Sequence, residues 1–480
     1  MKELNIHIDV EKRFLPKAEY VFAFFCKSIG VKPNFLLTTD LQNIHVYYGV
    51  NPNNACPVCI HHNPKAALFY DEKRLYPNDE IDFFRHDSFL LPFLFSDKVS
   101  VDQCLKSEEL KNGVLESSEI YKFLGDRLII QKDIISSAFY FLSCWQEYVE
   151  GVSPEHGGRY DYKKSLQYLY DFAEVPVVDI YSRIFSVGLE RALVGFKRES
   201  STFTLSLSHD IDYFDFWTRK QLYSIYGHNL QKFQISPLSA IYKGLGHLFT
   251  KQFAWKPEKV LERIYQKEER LKCQSTSFIM VKSDGKDERQ AYFSDAVQRE
   301  KIKRVYANRP VGLHGSVGAS FDLAKLTEEI NLLKSAGFEV KGYRNHYLCF
   351  DYQKSFSILE QAGIEYDCTL GFWETIGYRA GTSMPFYPYN IEEERAFNVL
   401  EIPLIAMDVS LFSPKAMNLS YHQAKLRLFS LIYKAATMNT HVSLLWHNNS
   451  FDFIDYPLWG RLYWEAIKYA KKLGGQIYSE

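Results

Sequence analysis

From residue 202 onward the sequence alternates short apolar runs with helical segments. This alternation restricts the fold strongly, because strands separated by helices pair in parallel and need helices to cover the sheet. Seven apolar runs are typical of strands, at 203–207, 277–281, 311–313, 338–343, 364–366, 399–404 and 442–446. We therefore predict an α/β fold for residues 201–480, in the form of a distorted (β/α)7-type barrel.

One connecting helix is well marked within this alternation. Asp322 is placed to cap its N-terminus, apolar residues recur on one face at helical spacing, and Gly337 ends it.

The segment at about 217–272 breaks the alternation, with many more Lys and Arg than Glu and with several aromatic residues. We predict a basic helical insertion there, either a solvated excursion near the barrel rim or a contact surface for an anionic glycan or a membrane.

Residues 1–200 predict an N-terminal mixed α/β domain of unknown function. The runs 46–49 and 67–70 are typical of strands, since they are aromatic or β-branched and are bounded by Asn and Pro. Helical spacing predicts one helix over 133–149, capped by Asp133, and a second helix after Asp179. This half of the chain contains no recognisable set of reactive side chains.

Composition and the pattern of apolar residues exclude several functional classes. The 57 Lys and Arg residues nearly balance the 58 Asp and Glu residues, so a net charge of -1 provides no basic field for nucleic acid. No run approaches the length of a membrane span, so we predict a chain that is not transmembrane. The first residues lack a secretion signal pattern, and the eight cysteines are scattered, so we expect a cytoplasmic protein with reduced thiols.

Charged and metal-binding side chains follow five of the predicted strands. They are Asp210 and Asp212, His314, Arg344 and His346, Asp367, and His447. In β/α barrels the carboxyl ends of the strands converge on one face, and active sites form there. Each residue alone has an ordinary explanation, such as a helix cap or a buried hydrogen bond. Together they suit a divalent metal with a general base, an acid and an orienting charge.

These residues stand in ordered motifs that resemble the polysaccharide deacetylase family, carbohydrate esterase family 4, over roughly residues 202–480. The motifs are Ser208-His-Asp-Ile-Asp212, Gly312-Leu-His-Gly-Ser316, Arg344-Asn-His-Tyr347, Asp367 and Leu444-Leu-Trp-His447. The stretch 366–386 is similar to a bacterial subgroup found with exopolysaccharide or capsule genes. Residues 1–200 resemble the uncharacterised N-terminal domain that accompanies this subgroup.

The resemblance implies removal of N-acetyl groups from amino sugars with a divalent metal, most commonly zinc, with cobalt, nickel or manganese as alternatives. By position, Asp210 resembles the general base, Arg344 the arginine that orients the base, and His447 the imidazole acid. Asp212 and His314 resemble two metal ligands.

The third metal ligand departs from the family pattern. The family usually supplies a second histidine four residues after the first, and Gly318 stands there in this sequence. His346 is the best substitute, because it occupies a position where the family typically has proline. Ser316 and His209 are weaker alternatives.

Four residues are predicted to contact the substrate. Trp373 and Tyr378 could stack on a sugar ring or could simply plug the barrel mouth. Asp367 and Arg379 complete the set, although Arg379 could instead pair with Glu401 beneath the site.

The leading hypothesis is a metal-dependent, deacetylase-like hydrolase of amide bonds. Its substrate would be an N-acetylated glycan or sugar precursor in surface polysaccharide metabolism, with peripheral contact to a lipid-linked substrate as one option. Gly318 motivates an alternative, a catalytically silent glycan-binding or polysaccharide-assembly protein on a degenerate deacetylase barrel. A third hypothesis keeps the barrel and hydrolyses another amide or amidine on a small molecule.

Overall fold

The structure is a computed structural model. It describes residues 3–36, 43–50, 56–77, 81–96, 119–124, 127–152, 158–199, 201–212, 214, 245, 257–283, 292–452 and 456–480. The predicted basic insertion at 217–272 lies outside the described residues, except for residue 245 and the segment from 257 onward.

The part of the chain before residue 200 folds into a mixed sheet flanked by helices. Its strands are β1 Glu3–Asp9, β2 Lys32–Phe35, β3 Val46–Gly49, β4 Val58–His61, β5 Ile81–His86, β6 Phe89–Leu94, β7 Tyr121–Leu124 and β8 Arg127–Ile130. Its helices are α1 Leu15–Ser28, α2 Pro64–Asp71, α3 Ile134–Leu142, α4 Trp145–Glu150, α5 Leu166–Leu169 and α6 Val177–Ala192. The sheet order is β2-β1-β3-β4-β8-β7, and β5 pairs with β6 in a separate hairpin. All sheet neighbours are parallel except β7 and β8.

The part after residue 200 contains a curled sheet of nine parallel strands. The strands of this part are β9 Thr204–Ile211, β10 Thr276–Met280, β11 Val311–Gly315, β12 Gly342–Asn345, β13 Tyr366–Asp367, β14 Tyr389–Asn390, β15 Arg395–Ala396, β16 Leu400–Glu401, β17 Ala406–Met407, β18 His441–Leu445 and β19 Gln476–Ser479. The order is β16-β13-β12-β11-β10-β9-β18-β17, β19 also pairs with β9, and β14 and β15 form a hairpin outside the sheet. This sheet is compatible with an α/β barrel.

Helices connect the parallel strands, as the alternation predicts. They are α7 Pro257–Arg270, α8 Ala296–Tyr306, α9 Leu323–Ser335, α10 Tyr352–Gln361, α11 Asp408–Phe412, α12 Tyr421–Met438 and α13 Trp459–Lys472. The predicted ends of α9 are confirmed. The Asp322 carboxylate accepts hydrogen bonds from the first-turn amides of Ala324 and Lys325, and Gly337 follows the helix with φ +92°. A positive φ suits glycine, which has no Cβ to clash with the backbone.

Several predicted elements differ from the observed ones. The run 67–70 belongs to helix α2 and not to a strand, because Asn63 caps the helix through the amide of Lys65 and Pro64 fits its first turn. The predicted helix over 133–149 is divided into α3 and α4 at Cys144, whose φ is 42°. The predicted strand 338–343 begins only at Gly342.

The two parts of the chain share one apolar interior. A continuous cluster of buried side chains runs from Leu4 in β1 to Ala470 in α13. Backbone hydrogen bonds also cross between the parts, for example from the Val178 amide to the Gly381 carbonyl. The N-terminal part therefore packs as an integral neighbour of the curled sheet. Among the described helices, none combines the length and apolar character needed to span a bilayer.

Candidate metal centre

Parallel pairing brings the predicted site residues to one edge of the curled sheet. They are Asp210 on β9 with Asp212 just beyond it, His314 on β11, Arg344 on β12 with His346 just beyond it, and His447 just beyond β18. β11 and β12 are neighbours, with His314 directly opposite Arg344. The strands point the same way, so their carboxyl ends converge at this edge.

Three of these side chains form a group that could hold a metal ion. One ligand atom from each of Asp212, His314 and His346 lies within 4.8 Å of the others. Asp212 Oδ1 is 3.1 Å from His314 Nε2, and Asp212 Oδ2 is 3.9 Å from His346 Nε2. His346 thus stands beside the two ligands that the sequence assigns, although it is 32 residues from His314 along the chain.

The hydrogen bonding of this group fits a cation. Asp212 Oδ1 and His314 Nε2 are buried and face each other at 3.1 Å, and within the described part of the chain neither atom has a hydrogen-bond partner other than the other one. When the His314 proton is on Nδ1, both facing atoms are acceptors, which is costly unless a cation lies between them. Two ligand atoms bound at tetrahedral angles to one zinc ion stand roughly 3.3 Å apart, close to the separation of these two atoms. One carboxylate and two imidazoles are also a donor set that zinc accepts.

Burial and neighbouring charges determine the protonation of the imidazole rings of His314 and His346. Burial alone would lower the pKa of His314, but Asp210 and Asp212 raise that pKa above its ordinary value. The negative charges of Asp210 and Asp212 also favour a cation at Nε2 of His314. His314 Nδ1 lies 3.0 Å from the Arg344 carbonyl, so an Nδ1 proton is donated there and Nε2 remains a ligand atom. Burial lowers the pKa of His346 to about 4, so its ring is neutral at pH 7.

Asp210 is held as an ionised carboxylate next to the group. Its side chain is buried, its Oδ1 accepts a hydrogen bond of 2.9 Å from Arg344 Nη1, and its Oδ2 is 3.7 Å from His314 Nε2. Burial alone would raise the pKa of Asp210. The charges of His314, Arg344 and His447 outweigh that effect and hold the pKa below its usual value.

The Arg344 guanidinium is fixed on all sides. Nε donates to the Cys368 carbonyl at 2.9 Å, Nη1 donates to Ser208 Oγ at 2.9 Å as well as to Asp210, and Nη2 contacts Glu480 Oε2 at 2.7 Å. The Arg344 and Glu480 side chains are fully buried. Sequence reasoning did not identify Glu480, which β19 brings beside β9.

His447 also lies beside the group. Its Nε2 is 3.8 Å from Asp212 Oδ2, and its Nδ1 is 2.7 Å from Asp408 Oδ1. Asp408 Oδ2 also accepts a 2.9 Å hydrogen bond from the His447 amide. Burial alone would lower the pKa of His447, but Asp408, with Asp212 and Asp210, raises it to about 10. The ring is therefore protonated at neutral pH.

Asp408 was missed by sequence reasoning. It stands directly after β17, a strand of only two residues at the end of the apolar run 402–407, and the predicted strand 399–404 ended before it. The position of Asp408 could still have identified it, because its carboxylate follows the strand Ala406–Met407 and begins a helix.

The two weaker candidates for the third ligand have other partners. Ser316 donates from Oγ and from its amide to Glu329. The His209 ring faces the Trp446 carbonyl through Nδ1 and Glu268 through Nε2.

The residues predicted to contact substrate occupy different environments. Asp367 is fully buried and accepts hydrogen bonds from the amide and hydroxyl of Thr369. Tyr378 is buried in the shared core. Arg379 is buried and pairs with Glu147, and not with Glu401. Trp373 is the half-buried member of the four and packs at the barrel mouth.

Glu401 contacts Asp367 below the site, and this buried pair predicts a pH-dependent contribution to stability. Burial raises the pKa of Asp367, although its hydrogen bond with Glu401 lowers that pKa, whereas burial and the Asp367 carboxylate together raise the pKa of Glu401. A raised pKa in the folded state contributes stability at acid pH that is lost as the pH rises through it. We expect Glu401→Gln, which can donate to Asp367 without ionising, to raise the melting temperature at about pH 8 more than at pH 5.

Thermal unfolding at both pH values measures this effect. Glu365→Gln, at a carboxylate with 62% of its side chain exposed, is the matched control and should leave the pH dependence unchanged. If Glu401→Gln changed the melting temperature equally at both pH values, that result would contradict a proton shared between Glu401 and Asp367.

Comparison with known proteins gives a family match for the N-terminal part and a likeness to solved structures. A family model described as a family of unknown function (DUF7033) matches residues 6–193. A crystal structure described as "putative polysaccharide deacetylase from Mycobacterium smegmatis" superposes with a TM-score of 0.36 and 14% sequence identity, covering 57% of this chain and 86% of that chain. At this score the likeness carries no functional conclusion. Curated proteins give no match to the sequence.

Proposed function

We propose that the protein is a metal-dependent hydrolase that removes N-acetyl groups from an amino sugar. The observation that supports the proposal is that three candidate ligand side chains lie together with the buried carboxylate of Asp210 and the imidazole of His447 beside them. Amide hydrolysis needs these parts, namely an electrophilic centre, a base for water and an acid for the leaving amine.

Asp212, His314 and His346 would hold the cation, with zinc as the best fit to one oxygen and two nitrogen donors and with cobalt, nickel or manganese as alternatives. When bound, such a cation polarises an acetamide carbonyl and lowers the pKa of water. Asp210 accepts the proton of the attacking water. Arg344 keeps Asp210 ionised and oriented through the 2.9 Å hydrogen bond from Nη1.

His447 supplies the proton that the departing amine needs. Its raised pKa means that the proton is present at neutral pH, and Asp408 holds the ring through Nδ1 so that Nε2 faces the metal group. The proposed base and the proposed acid thus each lie within 4 Å of a member of the metal group.

The substrate that we propose is an N-acetylated glycan or sugar precursor in surface polysaccharide metabolism, in a cytoplasmic setting. The support for this substrate class is the resemblance of the strand-end motifs to polysaccharide deacetylases. A lipid-linked precursor would bring the protein to a membrane surface without insertion.

Acetate release tests the proposal. We expect the purified full chain, loaded with zinc and desalted, to retain about one equivalent of metal and to release acetate from N-acetylglucosamine oligomers. Ammonia without acetate would favour another amide or amidine as the substrate. Retention of no metal by protein that still binds the oligomers would favour the silent glycan-binding alternative.

A further inference from the structure

The segment 371–383 joins the barrel mouth to the N-terminal part of the chain. It contains no described helix or strand, so its conformation depends on contacts made with other parts of the molecule. Trp373 lies near one end of this segment, and the other end reaches α6 through the Asp179 carboxylate, which accepts hydrogen bonds from the hydroxyls of Thr382 and Ser383.

A buried ion pair fixes the middle of the segment. Arg379 donates from Nε and Nη2 to the two carboxylate oxygens of Glu147 at 2.7 and 2.6 Å, and from Nη1 to the Gly371 carbonyl at 3.0 Å. Both charged side chains are at most 5% exposed. A bidentate pair of this kind restrains position and orientation together. Because Gly371 is two residues from Trp373, Glu147 of helix α4 restrains the backbone that carries the tryptophan.

Close backbone contacts hold the same segment against the N-terminal part. The Tyr378 amide donates to the Ala173 carbonyl at 2.8 Å. A Cβ on Gly377, whose φ is +141°, would lie 2.2 Å from that carbonyl oxygen. Only glycine permits this approach, so the two parts of the chain are fitted to each other here.

Trp373 belongs to the apolar wall of the mouth beside the metal group. It packs against the apolar cluster formed by Leu348, Leu404, Met407 and Leu445. Leu348 is two residues after the candidate ligand His346, and Leu445 is two residues before His447. The indole therefore packs against an apolar cluster in which two members lie within two residues of His346 and His447 along the chain.

Arg159 from the N-terminal part covers this tryptophan. Its guanidinium carbon is 4.6 Å from the centroid of the Trp373 ring. A guanidinium placed over an aromatic ring has its N–H donors around its edge. An apolar indole beside these donors matches a sugar, whose ring has an apolar face and a rim of hydroxyl groups.

We propose that the N-terminal part of the chain completes the substrate-binding mouth. In this arrangement Arg159 and Trp373 hold the sugar next to the one that is deacetylated, and Glu147 acts as a positioning residue through Arg379. The inference rests on the proposed deacetylase function. It narrows the substrate to a glycan chain of at least two sugars, since the pair lies beside the metal group.

Binding and turnover of short and long substrates test this inference. We would titrate the zinc-loaded full chain with N-acetylglucosamine monomer and tetramer by calorimetry, and would measure acetate release from both. We expect Arg159→Gln to weaken tetramer binding by about tenfold or more, the usual effect of losing hydrogen bonds from a charged donor. The rate on the monomer and the metal content should not change.

Two further variants separate positioning from general damage. Glu147→Gln should raise KM for the tetramer with little change in kcat, and Arg159→Lys should fail to restore binding because an ammonium lacks the planar fork. Glu394→Gln breaks a different ion pair between the two parts, the one with Lys17, and should behave as the parent.

Arg159→Gln binding the tetramer as tightly as the parent would overturn the inference. If Glu147→Gln does not fold, tetramer binding by Arg159→Gln alone tests the inference. If the parent releases no acetate from either substrate, the proposed function fails, and the calorimetric comparison still decides whether Arg159 binds the glycan.

Discussion

Asp210→Asn should reduce acetate release by about 1,000-fold or more while the protein keeps its metal. General acid–base catalysis contributes about 10²- to 10⁴-fold in enzymes, and an amide cannot accept the proton of the attacking water. Asp210 is not a member of the candidate ligand group, so the metal content should stay near that of the parent. Elemental analysis of desalted protein, combined with steady-state acetate release, measures both quantities.

Glu365→Gln is the matched control for this substitution, since it also neutralises one carboxylate, and its exposed position removes it from the site. Retained turnover in Asp210→Asn would remove Asp210 from the role of base. Lost metal in the same variant would assign Asp210 to the ligands.

Asp212→Ala should lower zinc affinity by at least about 100-fold and should abolish turnover with it. Residues that only support metal ligands already cost about 10- to 100-fold in affinity when they are mutated, so loss of a ligand should cost more. The predicted loss follows from the central position of Asp212, whose oxygens lie within 3.9 Å of the nitrogens of both His314 and His346. Competition with a zinc-binding dye measures the affinity.

His346→Ala tests the unusual ligand separately, and we expect it to weaken zinc binding without abolishing folding. His209→Gln is an informative control, because His209 precedes Asp210 but faces Glu268. It should keep its zinc affinity. Unchanged zinc affinity in His346→Ala would exclude His346 from the ligand set.

Much of the curled parallel sheet could be predicted because its signals are local. Apolar runs mark β9, β11 and β18, and Asp322 and Gly337 mark the ends of α9. Polar residues at the carboxyl ends of those strands then had to lie close together, because parallel strands end at a common edge. The error at 67–70 had a local cause too, because a short aromatic run has no clear period, while Asn63 and Pro64 already favoured a helix.

Partners distant in the sequence could not be predicted in this way. Asp408 reaches His447 across 39 residues, and Arg379 pairs with Glu147 across 232 residues, whereas the sequence offered substrate or Glu401 as its partner. The spacing of residues along the chain contains no information about which carboxylate a buried guanidinium meets. That choice depends on how helices and loops pack.

The sequence by itself determined the alternation of strands and helices, the caps of α9 and the kinds of side chain available at the strand ends. Periodicity and capping act over a few residues, so they can be read along the chain. Only the tertiary structure decided that His346 stands within ligand distance of Asp212 and His314, and that Glu147 and Arg159 reach the mouth of the barrel. Those distances result from packing among segments far apart in the chain, where burial and charge pairing select one partner among several that the sequence offers.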